Sequence, residues 1–320
     1  MRILKTVLLV GGVVLVAVLI YRIGTEPIAE TLGRLAWWQF VVICLPYAAI
    51  MVVDTCGWRF AFARDRAPFW RLYRARVVGE AINIVSAVGQ VGGEAAKAWL
   101  VREHVSYEES VPSVVIAKTT ITIAQALFLC LGIVVAWTVL DASSELLRGM
   151  LWLLAVEVAA VAGFFAAQVS GLVARGGRVL KMFGVIDDVG SAQKLDDALR
   201  GYYRKEWRRF GLSVAFHLAG WLLGAVEAYI MLLALDVDGS LLTATAIEAL
   251  GSGVRFASFV VPASLGVFEG ANAAAFGTLG FGAGAGLAFS FVRRARQAVW
   301  VVVGVVLLLP SVLRRRAVVR

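Results

Sequence analysis

The sequence predicts an all-α, polytopic membrane protein with about six spanning helices and two re-entrant helical hairpins in an inverted repeat. The chain is 60% hydrophobic and only 17% charged, whereas soluble domains carry about 25% charged residues. Several apolar runs approach the roughly 20 helical residues needed to cross a hydrocarbon layer of about 30 Å. Two further apolar stretches are interrupted by glycine, proline and charged residues, a pattern typical of the broken helices of transporters.

Six apolar segments are predicted to span the membrane. The first, 5–20, begins like a secretory signal, but no small-residue cleavage site follows it, so we expect it to be retained as a helix. The predicted spans are 5–20, 40–57, 112–139, 149–171, 210–235 and 286–309. We expect one integral membrane domain over 1–320, with repeat-like halves at about 58–171 and 210–310. Between them, 172–209 is predicted to be an amphipathic cytoplasmic linker.

The distribution of Lys and Arg predicts the orientation. Segment 58–76 holds six arginines against one acid, and 172–209 holds nine basic residues against five acids. Because basic residues are retained in cytoplasmic loops, both segments and both chain termini are predicted to be cytoplasmic. The net charge of +9 is then explained by loops next to anionic lipid, and we expect no nucleic-acid partner.

The first interrupted stretch, 77–101, carries Gly89, Gly92 and Gly93 among apolar residues. An even number of crossings must join the two cytoplasmic segments, and the two spans between 112 and 171 already satisfy this condition. We therefore predict that 77–101 enters the membrane and returns on the cytoplasmic side. Backbone of this kind is tolerated at membrane depth where it lines a cavity or is buried in protein.

The second interrupted stretch, 241–280, contains Pro262 and Gly266. The crossing count permits either two spans or one hairpin, and the shortness of the segment after the turn favours a hairpin from the outer side. Glu94 of the first stretch corresponds to Glu269 of the second. The two halves thus resemble each other in inverted orientation.

Charged residues at membrane depth cost roughly 2.5–3.5 kcal/mol each on insertion scales and are functional candidates by default. A helix starting near Gly93 would direct free N–H groups toward an anionic headgroup, unless Glu94 satisfies them itself. The neutral amides of Asn83 and Gln90 suit a phosphate or polyhydroxyl group, and they suit hydrogen bonds to the hairpin backbone equally well. The predicted substrate-binding residues are Asn83, Gln90, Glu94, Lys97, Lys118, Glu248, Arg255, Glu269, Asn272, Arg293 and Arg294. The alternative is structural: acids and bases are balanced at this depth, so they neutralise one another and hold the hairpins in register.

Other sites are not predicted. The three cysteines have no paired spacing, so neither a disulfide nor a metal site is expected, and no cofactor is implied. His217 is expected to be a hydrogen-bonded core histidine. Glu157, which has no motif around it, is expected to be structural.

Several of these residues also form recognisable motifs. They are Arg76, Asn83, Gly92-Gly93-Glu94 and Lys97 in the first half, and Glu248, Pro262-Ala-Ser-Leu-Gly266-Val-Phe-Glu269-Gly and Arg293-Arg294-Ala-Arg296 in the second. With them the chain resembles the transmembrane region of lysylphosphatidylglycerol synthases, the flippase-like domain, over about 40–310. It looks especially like stand-alone bacterial members, including those associated with hopanoid synthesis.

The resemblance implies an inverted-repeat fold with re-entrant helices, a bacterial inner-membrane location, and movement of a polar-headed lipid between leaflets. Fused members carry a soluble domain that makes aminoacyl-lipid. This chain stops at Arg320 without one, so aminoacyl transfer is not implied.

The predicted function is translocation of a lipid or lipid-linked precursor, with membrane lipid as the ligand. One alternative is a membrane-embedded lipid-modifying enzyme with Glu94 or His217 as base and Lys97 or Lys118 as electrophile. It lacks a paired nucleophile and base or a metal set, so no enzymatic activity is expected. The other alternative is a scaffold that binds a lipid-synthesis enzyme through 172–209. A second copy of the chain is a further candidate partner.

Overall fold

The computed structural model describes residues 2–65, 67–85, 91–140, 143–170 and 190–318, and within these ranges it is helical with no strand. The predicted all-α class is confirmed. The helices are α1 (Arg2–Ile23), α2 (Thr25–Gly33), α3 (Trp37–Phe60), α4 (Phe69–Val85), α5 (Val91–Val101), α6 (Tyr107–Val139), α7 (Glu145–Ser170), α8 (Gly190–Lys205), α9 (Trp207–Ala234), α10 (Leu241–Ala257), α11 (Val267–Thr278) and α12 (Ala283–Val318), with a 3₁₀ turn at Pro262–Ser264.

Five described helices are long and apolar enough to cross a membrane: Thr6–Ile23 of α1, and α3, α6, α7 and α9. They coincide with five of the six predicted spans. The sixth, 286–309, lies inside the 36-residue helix α12. The first half of that helix carries Arg293, Arg294 and Arg296. The protein is thus a multi-pass membrane protein, and a total of six spans stays a prediction.

One end of the helix bundle, the α2 end, is defined by contacts of the α2 segment. Arg34, just after α2, pairs with Asp236 beyond the end of α9 at 3.3 Å. Gly284, at the start of α12, approaches Pro27 so closely that an added Cβ would lie 2.7 Å from the proline Cβ. The C-terminal ends of α1 and α9 and the start of α12 therefore meet here.

The opposite, α8 end is defined by α8. Tyr202 donates a hydrogen bond to the Phe60 carbonyl at the end of α3 (2.7 Å), and Arg200 donates to the Val169 carbonyl at the end of α7 (3.0 Å). Leu199 is fully buried in the same core as Tyr202. The apolar face of α8 is therefore packed against its own bundle.

The helices α4 and α5 form an antiparallel pair, named hairpin 1. Leu72 near the start of α4 and Val101 at the end of α5 are buried in the same core as Leu199, so hairpin 1 starts and finishes at the α8 end. It begins at Phe69 rather than at the predicted residue 77, because the arginine-rich segment 69–76 continues as the first turns of α4.

Hairpin 2 consists of α10, the 3₁₀ turn and α11. Ala244 near the start of α10 and Phe276 near the end of α11 are buried in one core with Leu235, at the α2 end. The two hairpins therefore approach from opposite ends of the bundle. They touch inside it, where the 3₁₀ turn contacts α4.

Candidate functional site

The start of α5 is fixed by one amide side chain. Asn83 Oδ1 accepts a hydrogen bond from the Gly93 N–H at 2.8 Å, and Asn83 Nδ2 donates to Glu94 at 3.4 Å. Glycine is required at 93, since a Cβ there would collide with the Gly79 carbonyl oxygen. The Gly-Gly-Glu sequence therefore lets α4 and α5 pack backbone to backbone and puts Glu94 in the first turn of α5, where a carboxylate is favoured.

Glu94 is the centre of a small charged group. Lys97 Nζ lies 2.8 and 2.9 Å from its two carboxylate oxygens, and Lys118 of α6 lies within electrostatic range of it. The Lys97 side chain is only 4% exposed, whereas that of Glu94 is 21% exposed. Hairpin 1 thus presents a partly accessible carboxylate, that of Glu94, and the buried Lys97 ammonium group compensates its charge.

The loop of hairpin 2 has an unusual backbone. Ala263 and Ser264 both have φ of 52°, and Gly266 has φ of 81°, in the left-handed region that costs a non-glycine residue about 1–2 kcal/mol. Arg294 donates to the Ala263 carbonyl at 2.7 Å, and Glu269 accepts from the Gly266 N–H at 2.7 Å. These hydrogen bonds stabilise a conformation that the loop would not adopt alone. Such strain is concentrated at functional sites.

Five basic and acidic side chains adjoin this loop. Glu248 is paired with Arg255 at 2.8 Å and with Arg293 at 2.6 Å, while Glu269 is paired with Arg294 at 2.8 Å. Burying a carboxylate is costly, and pairing with a cation and hydrogen bonding offset that cost.

Phe268 lies beside the guanidinium groups of these arginines, with its ring centre 5.1 Å from Arg255, 5.9 Å from Arg293 and 5.8 Å from Arg294. These distances are in the range of cation–π attraction. The side chains of Arg255 and Arg294 are 27% and 24% exposed. Hairpin 2 therefore presents two partly accessible guanidinium groups.

The family model described as "Lysylphosphatidylglycerol synthase TM region" matches residues 3–308. The chain belongs to this family. The family predicted from the motifs is confirmed, while the stand-alone and hopanoid-associated subgroup stays a prediction. Neither the search of curated proteins nor the search of solved structures found a match.

The structure of this family member brings the predicted residues together in two groups. The hairpin 1 group is Asn83, Glu94, Lys97 and Lys118; the hairpin 2 group is Glu248, Arg255, Glu269, Arg293 and Arg294. Gln90 lies outside the described residues. Asn272 is in neither group: it is fully buried and donates to Ser290 at 2.8 Å, so it joins α11 to α12.

A third group forms around Asp54, which is not among the residues predicted from the sequence. Asp54 pairs with Arg76 of hairpin 1 at 2.7 Å and lies 3.0 Å from Nδ1 of His217 on α9, and all three residues are buried. His217 is thus a bonded core histidine, as predicted. The sequence feature that could have identified Asp54 is that it is an acidic residue inside the predicted span 40–57.

A further buried pair accompanies α12. Arg296 lies 3.0 Å from Glu227 and 4.1 Å above the ring of Tyr47. Most predicted charges are therefore paired inside the protein, which is what the structural interpretation requires. The partial exposure of Glu94, Arg255 and Arg294 is the feature that this interpretation does not need.

A cavity of about 300 Å³ lies at the α2 end, next to Arg34, Asp236 and Phe281. It contains none of the predicted site residues. Within the described parts of the chain, no cluster of His, Cys, Asp and Glu side chains is arranged to hold a metal ion.

Proposed function

We propose that this protein translocates a polar-headed lipid or lipid-linked precursor between membrane leaflets, with the headgroup passing between the tips of the two hairpins. The observation that carries the proposal is their arrangement: they come from opposite ends of the bundle, and α4 meets the 3₁₀ turn inside it. The family name, which refers to a membrane lipid synthase region, agrees with a lipid ligand.

Helix α1 supports a re-entrant course for hairpin 2. A Cβ at Gly12 would lie 2.7 Å from the Leu265 carbonyl oxygen, and one at Gly270 would lie 3.7 Å from Leu19. At 1.5 Å per residue, Gly12 is about 9 Å from Thr6, where the candidate span of α1 begins. The hairpin tip therefore contacts the interior of a span, and α11 runs back toward the α2 end.

Helix length supports the same course for hairpin 1. With 11 residues, α5 is about 16 Å long, too short for a hydrocarbon layer of about 30 Å. Its return to the α8 end agrees with entry from that side. The two hairpins, each with a glutamate in the first turn of its second helix (Glu94 and Glu269), then form the inverted repeat. The basic segments near α8 favour the cytoplasm for the α8 end.

The charged side chains of the two hairpins offer contacts to a headgroup while it crosses the membrane. A headgroup entering hydrocarbon loses its water, and transfer of unpaired polar groups costs several kcal/mol. Glu94 offers a carboxylate, while Arg255 and Arg294 offer guanidinium donors for phosphate or hydroxyl oxygens. Each of these groups is paired with a side chain of opposite charge, Lys97, Glu248 and Glu269 respectively. The acyl chains remain in the bilayer while the headgroup exchanges water for protein contacts.

Reconstituted vesicles test this proposal. Lipids with a fluorescent headgroup are incorporated, and a membrane-impermeant reductant measures how fast inner-leaflet lipid becomes accessible. We expect Glu94→Gln and Arg294→Gln to slow translocation about tenfold, equivalent to about 1.4 kcal/mol in the barrier. Glu145→Gln is the matched control, because Glu145 is an exposed residue paired with Arg148 on α7. Absence of translocation across a panel of headgroups, or equal slowing by the control, would overturn the proposal.

A further inference from the structure

Glu157 lies at the centre of α7, with 12 residues before it in the helix and 13 after it. Most of this helix is exposed on the outside of the bundle, toward lipid. The four residues that are buried against the protein are Leu147, Met150, Glu157 and Gln168. A carboxylate thus occupies a position on the protein-facing stripe where an apolar side chain would be expected.

The Glu157 carboxyl group has no partner among the described residues. The residue is 0% exposed, and both of its oxygens are buried without a hydrogen bond. The other polar residue of the stripe behaves differently, because Gln168 accepts from Tyr203 at 2.6 Å and donates to Thr119 at 3.0 Å. Glu157 is therefore the exception on α7.

The ionisable groups of the neighbouring helices are engaged elsewhere. Helix α7 packs against α6, α8, α10 and α11. On α6, Lys118 interacts with Glu94, and Cys130 is exposed. On α10 and α11, Glu248 is paired with Arg255 and Glu269 with Arg294. In the described contacts between α8 and α7, the charged residue of α8 is Arg200, which donates to the Val169 carbonyl. Val169 is 12 residues further along α7 than Glu157 (169 − 157).

We propose that Glu157 is a proton-binding site inside the membrane. An ionised carboxylate with neither a cation nor a hydrogen-bond donor is strongly disfavoured in a low-dielectric interior, and a bound proton removes that charge. The carboxyl group is therefore protonated in the conformation described. On release, the O–H bond breaks, the proton passes to water and a carboxylate remains.

The position of Glu157 connects this proton to hairpin 2. Leu153 precedes Glu157 by one helical turn on the same face of α7, and its side chain lies 3.2 Å from where a Cβ at Gly253 would be. Gly253 is four residues before the end of α10, where the strained loop begins. A movement of hairpin 2 would admit water to Glu157 and release the proton. This coupling rests on the proposed function, whereas the proton site does not.

Infrared difference spectroscopy of the purified protein tests the site directly. At neutral pH, where exposed carboxyl groups are ionised, the wild type minus Glu157→Gln difference should contain the C=O stretching band of one protonated carboxyl group, with a shift in D₂O. The near-isosteric Glu157→Gln variant preserves the packing, and Glu145→Gln on the same helix should leave that band unchanged. A difference spectrum that shows the carboxylate band instead would overturn the proton site.

Translocation in vesicles with an imposed pH gradient tests the coupling. We expect the gradient to change the wild-type rate at least about threefold and to leave the Glu157→Gln rate unchanged. Equal responses of the two proteins would overturn the coupling. If the wild type moves no lipid at all, the proposed function fails, and the infrared result still decides whether Glu157 binds a proton.

Discussion

At the scale of single residues, Asp54 shows how a buried charge connects separate elements. Its carboxylate contacts Arg76 of hairpin 1 and His217 of α9, while Asp54 itself is on α3. A Cβ at Gly57 would lie within 2.9 Å of three ring atoms of His217, so a glycine is needed for the ring to fit. The network therefore attaches hairpin 1 to two membrane spans.

Removal of one member of this network should destabilise the protein. We expect Arg76→Met to lower the free energy of unfolding by about 3–5 kcal/mol, because it leaves a buried carboxylate without its strongest partner. The double variant Arg76→Met/Asp54→Asn should recover part of the loss. Arg148→Met, at an exposed pair, should change stability by less than about 1 kcal/mol. Thermal unfolding in detergent measures all three, and equal effects of Arg76→Met and Arg148→Met would contradict the account.

The sequence was informative about which residues carry charge at depth and uninformative about their partners. Glu94, Lys97, Glu269 and Arg294 could be selected because each is charged within an apolar stretch. Asn272, a neutral polar residue in the same kind of stretch, was also predicted to bind substrate, yet it hydrogen-bonds Ser290 on α12. The partner of a buried polar group is set by helix packing, which the pattern of one segment does not contain.

At the scale of elements, the loop of hairpin 2 depends on a close approach to α1. Gly266 has φ of 81°, and a Cβ there would lie 2.8 Å from the Gly12 carbonyl oxygen. Two effects therefore oppose any side chain at this position: the left-handed backbone and the packing against α1. Glycine at 266 was identified from the sequence as a turn, but the contact with α1 was not predictable because α1 is some 250 residues distant in the chain (266 − 12 = 254).

The two effects can be separated with a second glycine. Gly280 has φ of 82° with no atom within 4 Å of an added Cβ. We expect Gly280→Ala to cost about 1–2 kcal/mol from backbone conformation alone. Gly266→Ala should cost about 1–3 kcal/mol more, because it also overpacks the contact with α1. Unfolding midpoints of the two variants provide the comparison, and equal losses would show that the α1 contact contributes nothing.

At the scale of the whole molecule, the long apolar helices could be predicted because length and hydropathy determine them. Five predicted spans coincide with helices of sufficient length and apolarity. The sixth predicted span, 286–309, also lies within a long helix, α12. The short helix α2 was not predicted, because its nine residues are too few to give the signal of a span.

The course of the hairpins leads to a labelling prediction. With Cys44, Cys56 and Cys130 replaced by serine, single cysteines are introduced at the exposed positions Pro68, Glu103, Asp238 and Thr278. We expect Pro68→Cys and Glu103→Cys to react with a membrane-impermeant maleimide from one side only. Asp238→Cys and Thr278→Cys should react only from the other side, because hairpin 2 starts and finishes at the α2 end. Labelling of Asp238→Cys and Thr278→Cys from opposite sides would contradict the hairpin.

The central claim is that a lipid headgroup passes between the two hairpins and contacts Glu94 and Arg294. Photocrosslinking with a lipid that carries its reactive group in the headgroup tests this most directly, with the crosslinked peptides identified by mass spectrometry. The account predicts crosslinks within 83–97 and 255–269, which Glu94→Gln and Arg294→Gln reduce and Glu145→Gln does not. Crosslinks confined to the lipid-exposed faces of α1 and α7, unchanged in these variants, would contradict it.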